Sequence, residues 1–273
     1  MKPTRSPGAR IRARFSVRAG LAFACALAAV TAALTPWRCA AQGQVFITDT
    51  AEQVAQARLL QADLLAQRPV NRSEITGFFK IRDAAGRRSS VPVRFVVEPL
   101  GDAAWRSTYE AILPAAGTVE RLSVTHVEAQ PSSYALRREG AEPVTLESTA
   151  AMWTAFAGSD FFAADLGLEF LRWPDQRLLR KELRKSRACR VLESRNPAPG
   201  QGGYARVLSW IDADTGGVLC AEAFDAAGRM VKEFSVRSFK KVEGRWQLKE
   251  MEIRDLIRDS RTTMEFDLEL PAR

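Results

Sequence analysis

The 273-residue sequence predicts a mainly β, α+β fold: one leading helix followed by a meander of antiparallel hairpins. Three observations predict it. Apolar and polar side chains alternate with a period of two along most of the chain, as they do in half-buried strands. Glycine-bearing turns of one composition punctuate these runs. Helical periodicity is concentrated in one early segment.

The chain opens with six Lys/Arg and no acid in residues 1–20, followed by the apolar run "LAFACALAAVTAAL" and then "PWRCAAQ". This pattern predicts a secretory signal peptide over 1–41, with the small residues Cys39 and Ala41 flanking a cleavage site before Gln42. The run is shorter than the roughly twenty residues a membrane span needs. Interrupted Arg pairs ("RIRAR") leave the twin-arginine route unsupported, and Cys25 and Cys39 lack a lipoprotein acceptor context. The leader carries seven of the forty basic residues and none of the thirty-two acids. Residues 42–273 are then nearly neutral, which removes the charge argument for a nucleic-acid partner. With no Pro/Gly/Ser-rich linker inside them, they are expected to form one domain.

Next comes "TAEQVAQARLLQADLLAQRP". Thr50 stands three residues before Gln53, as in a capping box, and Val54, Ala57, Leu60, Leu64 and Leu65 recur at helical spacing until Pro69 ends the pattern. A helix of about sixteen residues with one apolar face is expected.

Strands follow. "SVPVRFVV" alternates through Val91, Val93, Phe95 and Val97. "AWRSTYEA" sets Trp105 and Tyr109 against Arg106, Thr108 and Glu110, and "TTMEFDLEL" sets Met264, Phe266, Leu268 and Leu270 against Thr263, Glu265, Asp267 and Glu269. The first of each set should face the core and the second solvent, because a one-residue slip inverts the whole strand. "DAAGR" occurs at Asp83–Arg87 and Asp225–Arg229, and "VEGRW" adds Gly244; a late glycine supplies the positive φ of a bulged hairpin turn.

Motifs for chemistry fare poorly. The one histidine, His126, shares a strand face with Leu122 and Val124 and reads as structural. "PGQGG" (Pro199–Gly203) lies between strands, whereas a phosphate loop opens a helix; it reads as a hairpin loop. "DADTGG" (Asp212–Gly217) matches a calcium loop at three positions, but Gly216 and Ala223 stand where ligands belong and Glu222 is one residue out of place. A two-carboxylate turn accounts for it. No catalytic residue, metal site or cofactor is expected.

The basic stretch "RLLRKELRKSRACR" (Arg177–Arg190) reads as a solvated face; a functional alternative would target acidic headgroups or an acidic partner. Cys189 and Cys220 remain after the leader. Hairpin pairing puts Cys189 near Trp210 and Cys220 near Ser209, on opposite faces and flanking a middle strand. That is beyond disulfide reach, so free thiols are expected.

"FAGSDFFAADLGLEF" holds Asp160 and Asp165 among Trp153, Phe156, Phe161, Phe162, Leu166, Leu168, Phe170 and Leu171. Ser159 or Asp160 can cap a short helix, with Asp165 on a different side. A paired-carboxylate hydrolase needs both carboxyls aimed at one bond, so the acids read as anchors of a short amphipathic helix over an apolar cavity or core.

These residues carry a resemblance. Gly158-Ser159-Asp160-Phe161 before Asp165-Leu166, the Trp210-Ile211-Asp212 strand, and the hairpin with Phe224-Asp225, Gly228 and Lys232 resemble the outer-membrane lipoprotein-sorting-protein-like (LolA-like) family, most closely over 150–270. The resemblance implies an incomplete antiparallel β-barrel with short lid helices, in a periplasmic, non-enzymatic protein that carries lipid or lipoprotein acyl chains toward the outer membrane. Its partners would include an inner-membrane transporter or an outer-membrane acceptor. The candidate lining and lid residues are Trp105, Tyr109, Trp153, Phe156, Phe161, Phe162, Leu166, Phe170, Met264, Phe266 and Leu268. An envelope sensor or adaptor that uses the same fold to bind a transporter or envelope protein is the alternative. The two separate on whether lipid co-purifies.

Overall fold

The structure is a computed structural model that describes residues 44–268 except 115, 116, 129, 147, 148, 201, 243 and 244. The predicted leader, Gly244 and Leu270 lie outside the described residues.

Among the described residues, fourteen strands form one antiparallel, open, curved sheet. They are β1 (Val45–Phe46), β2 (Ser73–Arg82), β3 (Arg88–Pro99), β4 (Ala104–Leu113), β5 (Thr118–Val127), β6 (Ser133–Arg138), β7 (Val144–Thr145), β8 (Asp175–Arg184), β9 (Arg187–Arg195), β10 (Arg206–Asp212), β11 (Val218–Phe224), β12 (Met230–Val242), β13 (Arg245–Asp255) and β14 (Ser260–Phe266). Their order is β1-β8-β9-β10-β11-β12-β13-β14-β2-β3-β4-β5-β6-β7. Two runs of sequential hairpins are therefore joined at the β14–β2 pair, where Met264 lies opposite Phe79.

Alternation fixes the two faces as expected. Val91, Val93, Phe95, Val97, Trp105, Tyr109, Met264, Phe266 and Leu268 are buried, whereas Arg106, Thr108, Glu110 and Glu265 are half-buried and Asp267 is exposed. Both "DAAGR" turns close alike: the N–H of Asp83 bonds the Arg87 carbonyl at 3.1 Å and that of Asp225 bonds Arg229 at 3.0 Å. Gly86 and Gly228 take φ of 79° and 77°, a conformation a β-carbon disfavours.

Helix α1 (Thr50–Leu65) buries Ala57, Leu60 and Leu64 against the β8–β11 half of the concave face, in a cluster with Leu178, Leu192, Val207 and Ile211. Its cap corrects the expected capping box. Asp49, not Thr50, is the N-cap, its Oδ1 accepting from the N–H of Ala51 at 2.7 Å and Glu52 at 3.2 Å. Both residues are competent caps, and the carboxylate one position earlier also meets the positive end of the helix dipole. Gln53 bonds instead to the Ile47 carbonyl.

The cysteines are free, but their register differs from expectation. Cys189 lies opposite Asp212 and Cys220 opposite Trp210, so both face the same side, in one cluster with Trp210. The β9–β10 pairing is offset by two residues from the expected one, and a register shift at Trp210/Ile211 interrupts the β10–β11 pair. Strand β10 still separates the thiols.

Candidate functional site

The rest of the concave face is covered by residues 149–173, which contain only three short elements: α2 (Thr149–Met152), α3 (Ala163–Leu166) and a 3-10 turn (Glu169–Arg172). This segment is a plug. Phe156, Phe161 and Leu166 enter the cluster that holds Trp105, Tyr109, Met264, Phe266 and Leu268. Phe161 is fully buried, stacked on Phe79 at 5.6 Å between centroids, and Phe156 meets the same ring edge-on at 6.2 Å. Phe170 belongs to the other cluster, beneath α1, with Trp153 and Phe162 packed partly buried against it. The sequence-predicted lining residues are thus divided between two sub-cores, and Phe161 and Phe162, adjacent in sequence, are not equivalent.

So irregular a segment has main-chain groups without helix or sheet partners, and buried groups of that kind must be satisfied. Side chains from the sheet and from α1 meet them. Glu120 of β5 accepts from the Ala157 N–H at 2.9 Å, the Thr262 hydroxyl of β14 accepts from the Asp160 N–H at 2.9 Å, and Tyr109 donates to the Leu166 carbonyl at 2.9 Å. Gln176 donates to the carbonyls of Phe170 and Trp173, both at 2.9 Å, and Gln61 of α1 to those of Leu171 and Trp173.

Asp160 and Asp165 take part in this pinning, and their roles correct the expected capping. Asp160 caps no helix. Its carboxylate accepts from the hydroxyls of Ser260 and Thr262 at 2.5 and 2.7 Å, with the Arg258 guanidinium at 3.2 Å. Asp165 reaches back to the Phe162 N–H at 2.8 Å, closing α3 from inside the turn, and accepts from the Tyr204 hydroxyl at 2.9 Å. One lysine links the two acids. Lys232 Nζ stands 3.5 Å from the Asp165 carboxylate, donates to the Asp160 carbonyl, and lies 3.0 Å from the Phe162 ring centroid. Burial raises the Asp165 pKa and lowers that of Lys232, each partly opposed by the other's charge.

A second polar chain pins the far end. Tyr134 donates to Glu169 at 2.8 Å, and Arg172 reaches the His126 ring at 3.1 Å. His126 is stacked on Trp105 at 4.6 Å and bonded to Ser132 at 2.9 Å. Burial, aided by Arg172, pushes its pKa down to about 3, so it packs as a neutral structural ring.

Between plug and sheet remains a cavity of about 40 Å³, lined by residues including Phe161, Leu168, Phe170, Val207, Phe234 and Lys232. At about 10–15 Å³ per water, it has room for a few waters and none for an acyl chain. Outside Lys232, an open groove of about 930 Å³ runs between Trp153, Phe162, Tyr204, Asp225, Ile257 and Arg258. The "PGQGG" loop forms one wall, through Pro199, Gly200, Gly202 and Gly203. The "DADTGG" turn is a closed hydrogen-bonded unit: the Asp212 carboxylate takes the N–H groups of Asp214 and Thr215 at 2.9 and 3.0 Å and pairs with Arg187.

Sequence reasoning missed Glu120, Tyr204 and Arg172, and named Lys232 only inside a motif. A signal existed for two of them. Lys232 keeps phase with inward Val236, and Glu120 with Leu122, Val124 and His126; a charge in an apolar phase needs a buried partner.

A family model described as an uncharacterized protein matches residues 142–268. No curated protein matches the chain. Among solved structures, a DUF1329 family protein from Desulfovibrio piger aligns with a TM-score of 0.64 at 19% identity, covering 79% of this chain and 92% of that one. A putative outer membrane lipoprotein-sorting protein domain from Vibrio parahaemolyticus gives 0.61 at 18%, covering 81% and 94%. A LolA superfamily protein from Nitrosomonas europaea gives 0.53 at 16%, covering 82% and 96%. The chain has the LolA-like fold of the last two proteins.

Proposed function

We propose that this protein is an exported, periplasmic, non-enzymatic carrier that takes a lipid or lipoprotein acyl chain into the space now filled by residues 149–173, and delivers it toward the outer membrane. The observation that carries this reading is the nature of the plug. Phe156, Phe161 and Leu166 fill the concave face, yet the segment is held by side-chain pins instead of by regular helix packing. Ala157 and Leu168 have φ of 53° and 50°, a left-handed conformation that costs about 1–2 kcal/mol per non-glycine residue and is released if the plug swings out. An acyl chain contributes about 0.8 kcal/mol per buried methylene, so roughly four to eight methylenes offset two phenylalanine rings worth about 1.5–3 kcal/mol each. The groove outside Lys232 is the proposed entrance.

The test is a titration with a fluorescent fatty-acyl probe, with mass spectrometry of lipid that co-purifies under gentle extraction. Saturable binding is expected, and Lys232→Met, which removes the link between Asp160 and Asp165, should tighten it several-fold by easing plug release. A wild type that holds no lipid and binds no probe would end the carrier reading. The second reading is an envelope sensor or adaptor that binds a transporter or envelope protein; the small residual cavity and the many pins favour it, because such a protein has no need to open.

A further inference from the structure

We propose that the free end of the β12–β13 hairpin is a docking surface for anionic phospholipid membranes. Strand β11 pairs with β12 only as far as Ser235, and β14 pairs with β13 only from Glu250 onward. Among the described residues, β12 and β13 beyond these points pair only with each other, so they extend past the sheet as a two-stranded ribbon. Such ribbons are marginal on their own and keep large apolar side chains in water only at a cost.

This ribbon carries two. Trp246 is 57% exposed and Phe239 40%. Phe239 lies opposite Leu248 and Lys241 opposite Trp246, which puts both aromatics and Lys241 on one face as diagonal neighbours; Leu248 on that face is buried in the main core and anchors the base of the ribbon. Residues 237–249 hold five Lys/Arg and one acid. Among the described residues no ion pair forms on Arg237, Lys240 or Lys241. On the opposite face, at the foot of the ribbon, Lys240 and Lys249 line a hollow with Phe78, itself 44% exposed, together with Glu265 and Asp267; Lys249 also lies 3.9 Å from Glu250.

The other basic stretch, Arg177–Arg190, differs in this respect. Arg180 pairs with Glu182, Arg184 with Glu222, and Arg187 with Asp212 and Asp214, and Lys185 donates to the Val236 carbonyl. Most of its charge is therefore engaged within the sheet, Lys181, Arg190 and, apart from that hydrogen bond, Lys185 being the members for which no ion pair forms among the described residues. The charge of the ribbon is available outward, beside aromatic rings that suit the headgroup–acyl boundary. Unpaired lysines and arginines next to exposed Trp and Phe match an anionic bilayer; an acidic protein would match the charge and leave the rings unexplained. This docking is independent of whether the core takes an acyl chain.

Co-sedimentation with phosphatidylglycerol/phosphatidylethanolamine vesicles tests it against phosphatidylcholine vesicles. The full chain includes the apolar run of residues 21–34, so the comparison is between proteins that share it. Wild type should partition preferentially into the anionic vesicles and lose binding with salt. Replacing Lys240 and Lys241 by Ala should weaken binding roughly five-fold per lysine. Replacing Phe239 and Trp246 by Ala should weaken it at least about ten-fold without changing the melting temperature. Brominated lipid should quench wild type more than Trp246→Phe. Equal partition into neutral vesicles, unchanged binding by the variants, or equal quenching would overturn the proposal.

Discussion

The two covers of the concave face are built on different principles. Over β8–β11 lies α1, a capped sixteen-residue helix whose main chain satisfies itself and whose contribution is apolar packing. Over β2–β5 and β12–β14 lies the plug, whose main chain depends on the sheet for hydrogen bonds. Removing the helix would expose apolar surface. Removing the plug would also part Lys232 from Asp165 and Asp160, and leave Glu120 with Arg138 alone. The helix is therefore a fixed wall. The plug is a cover held in place by hydrogen bonds to the sheet.

The largest expected effect tests the plug directly. Phe161→Ala truncates a fully buried ring and should cost about 3–5 kcal/mol in denaturant unfolding; if the cover opens, acyl-probe uptake should rise in the same variant. Leu60→Ala on the α1 side should cost about 2–5 kcal/mol and leave probe uptake unchanged; a parallel change in uptake would erase the distinction between the covers. The plug side should also respond to acid. His126 has a folded pKa of about 3 against 6.5 ordinarily, so the unfolded chain binds the extra proton between those values. The contribution of His126 is full above pH 6.5 and falls by about 1.4 kcal/mol per unit as the pH drops toward 3. In His126→Phe that share of the slope should vanish from a pH series of melts. The smallest effect belongs to the helix: Asp49→Ala should cost about 1 kcal/mol, visible as a small shift in the denaturation midpoint.

How much of this contrast was legible in the sequence follows from the range of the interactions involved. The helix periodicity, the inward row Met264-Phe266-Leu268 and the "DAAGR" turns are local, and were read correctly from spacing. The cap was missed by one residue because Asp49 and Thr50 are both good caps. The cysteine register failed because a bulge next to Trp210 leaves no mark in composition. The pins were the least legible. Asp160 meets Thr262 and Asp165 meets Tyr204, partners 102 and 39 residues away. The Phe-rich segment announced its apolar role, while the acids within it gave no hint of which strand they would grip.

The order of the strands has a consequence in time. Within each hairpin run, neighbours along the chain are neighbours in the sheet, but the pair that unites the two runs joins β2 to β14, where Lys80 meets Glu265 across 185 residues of sequence. Closing so long a loop costs little more than closing a moderate one, since the entropy grows only logarithmically, yet such distant pairings slow folding. A chain that emerges N-terminus first, as from the ribosome, cannot form that seam until β14 has emerged, and the plug cannot be gripped at Thr262 before then. The arrangement delays completion of the sheet until nearly all of the chain is available to fold.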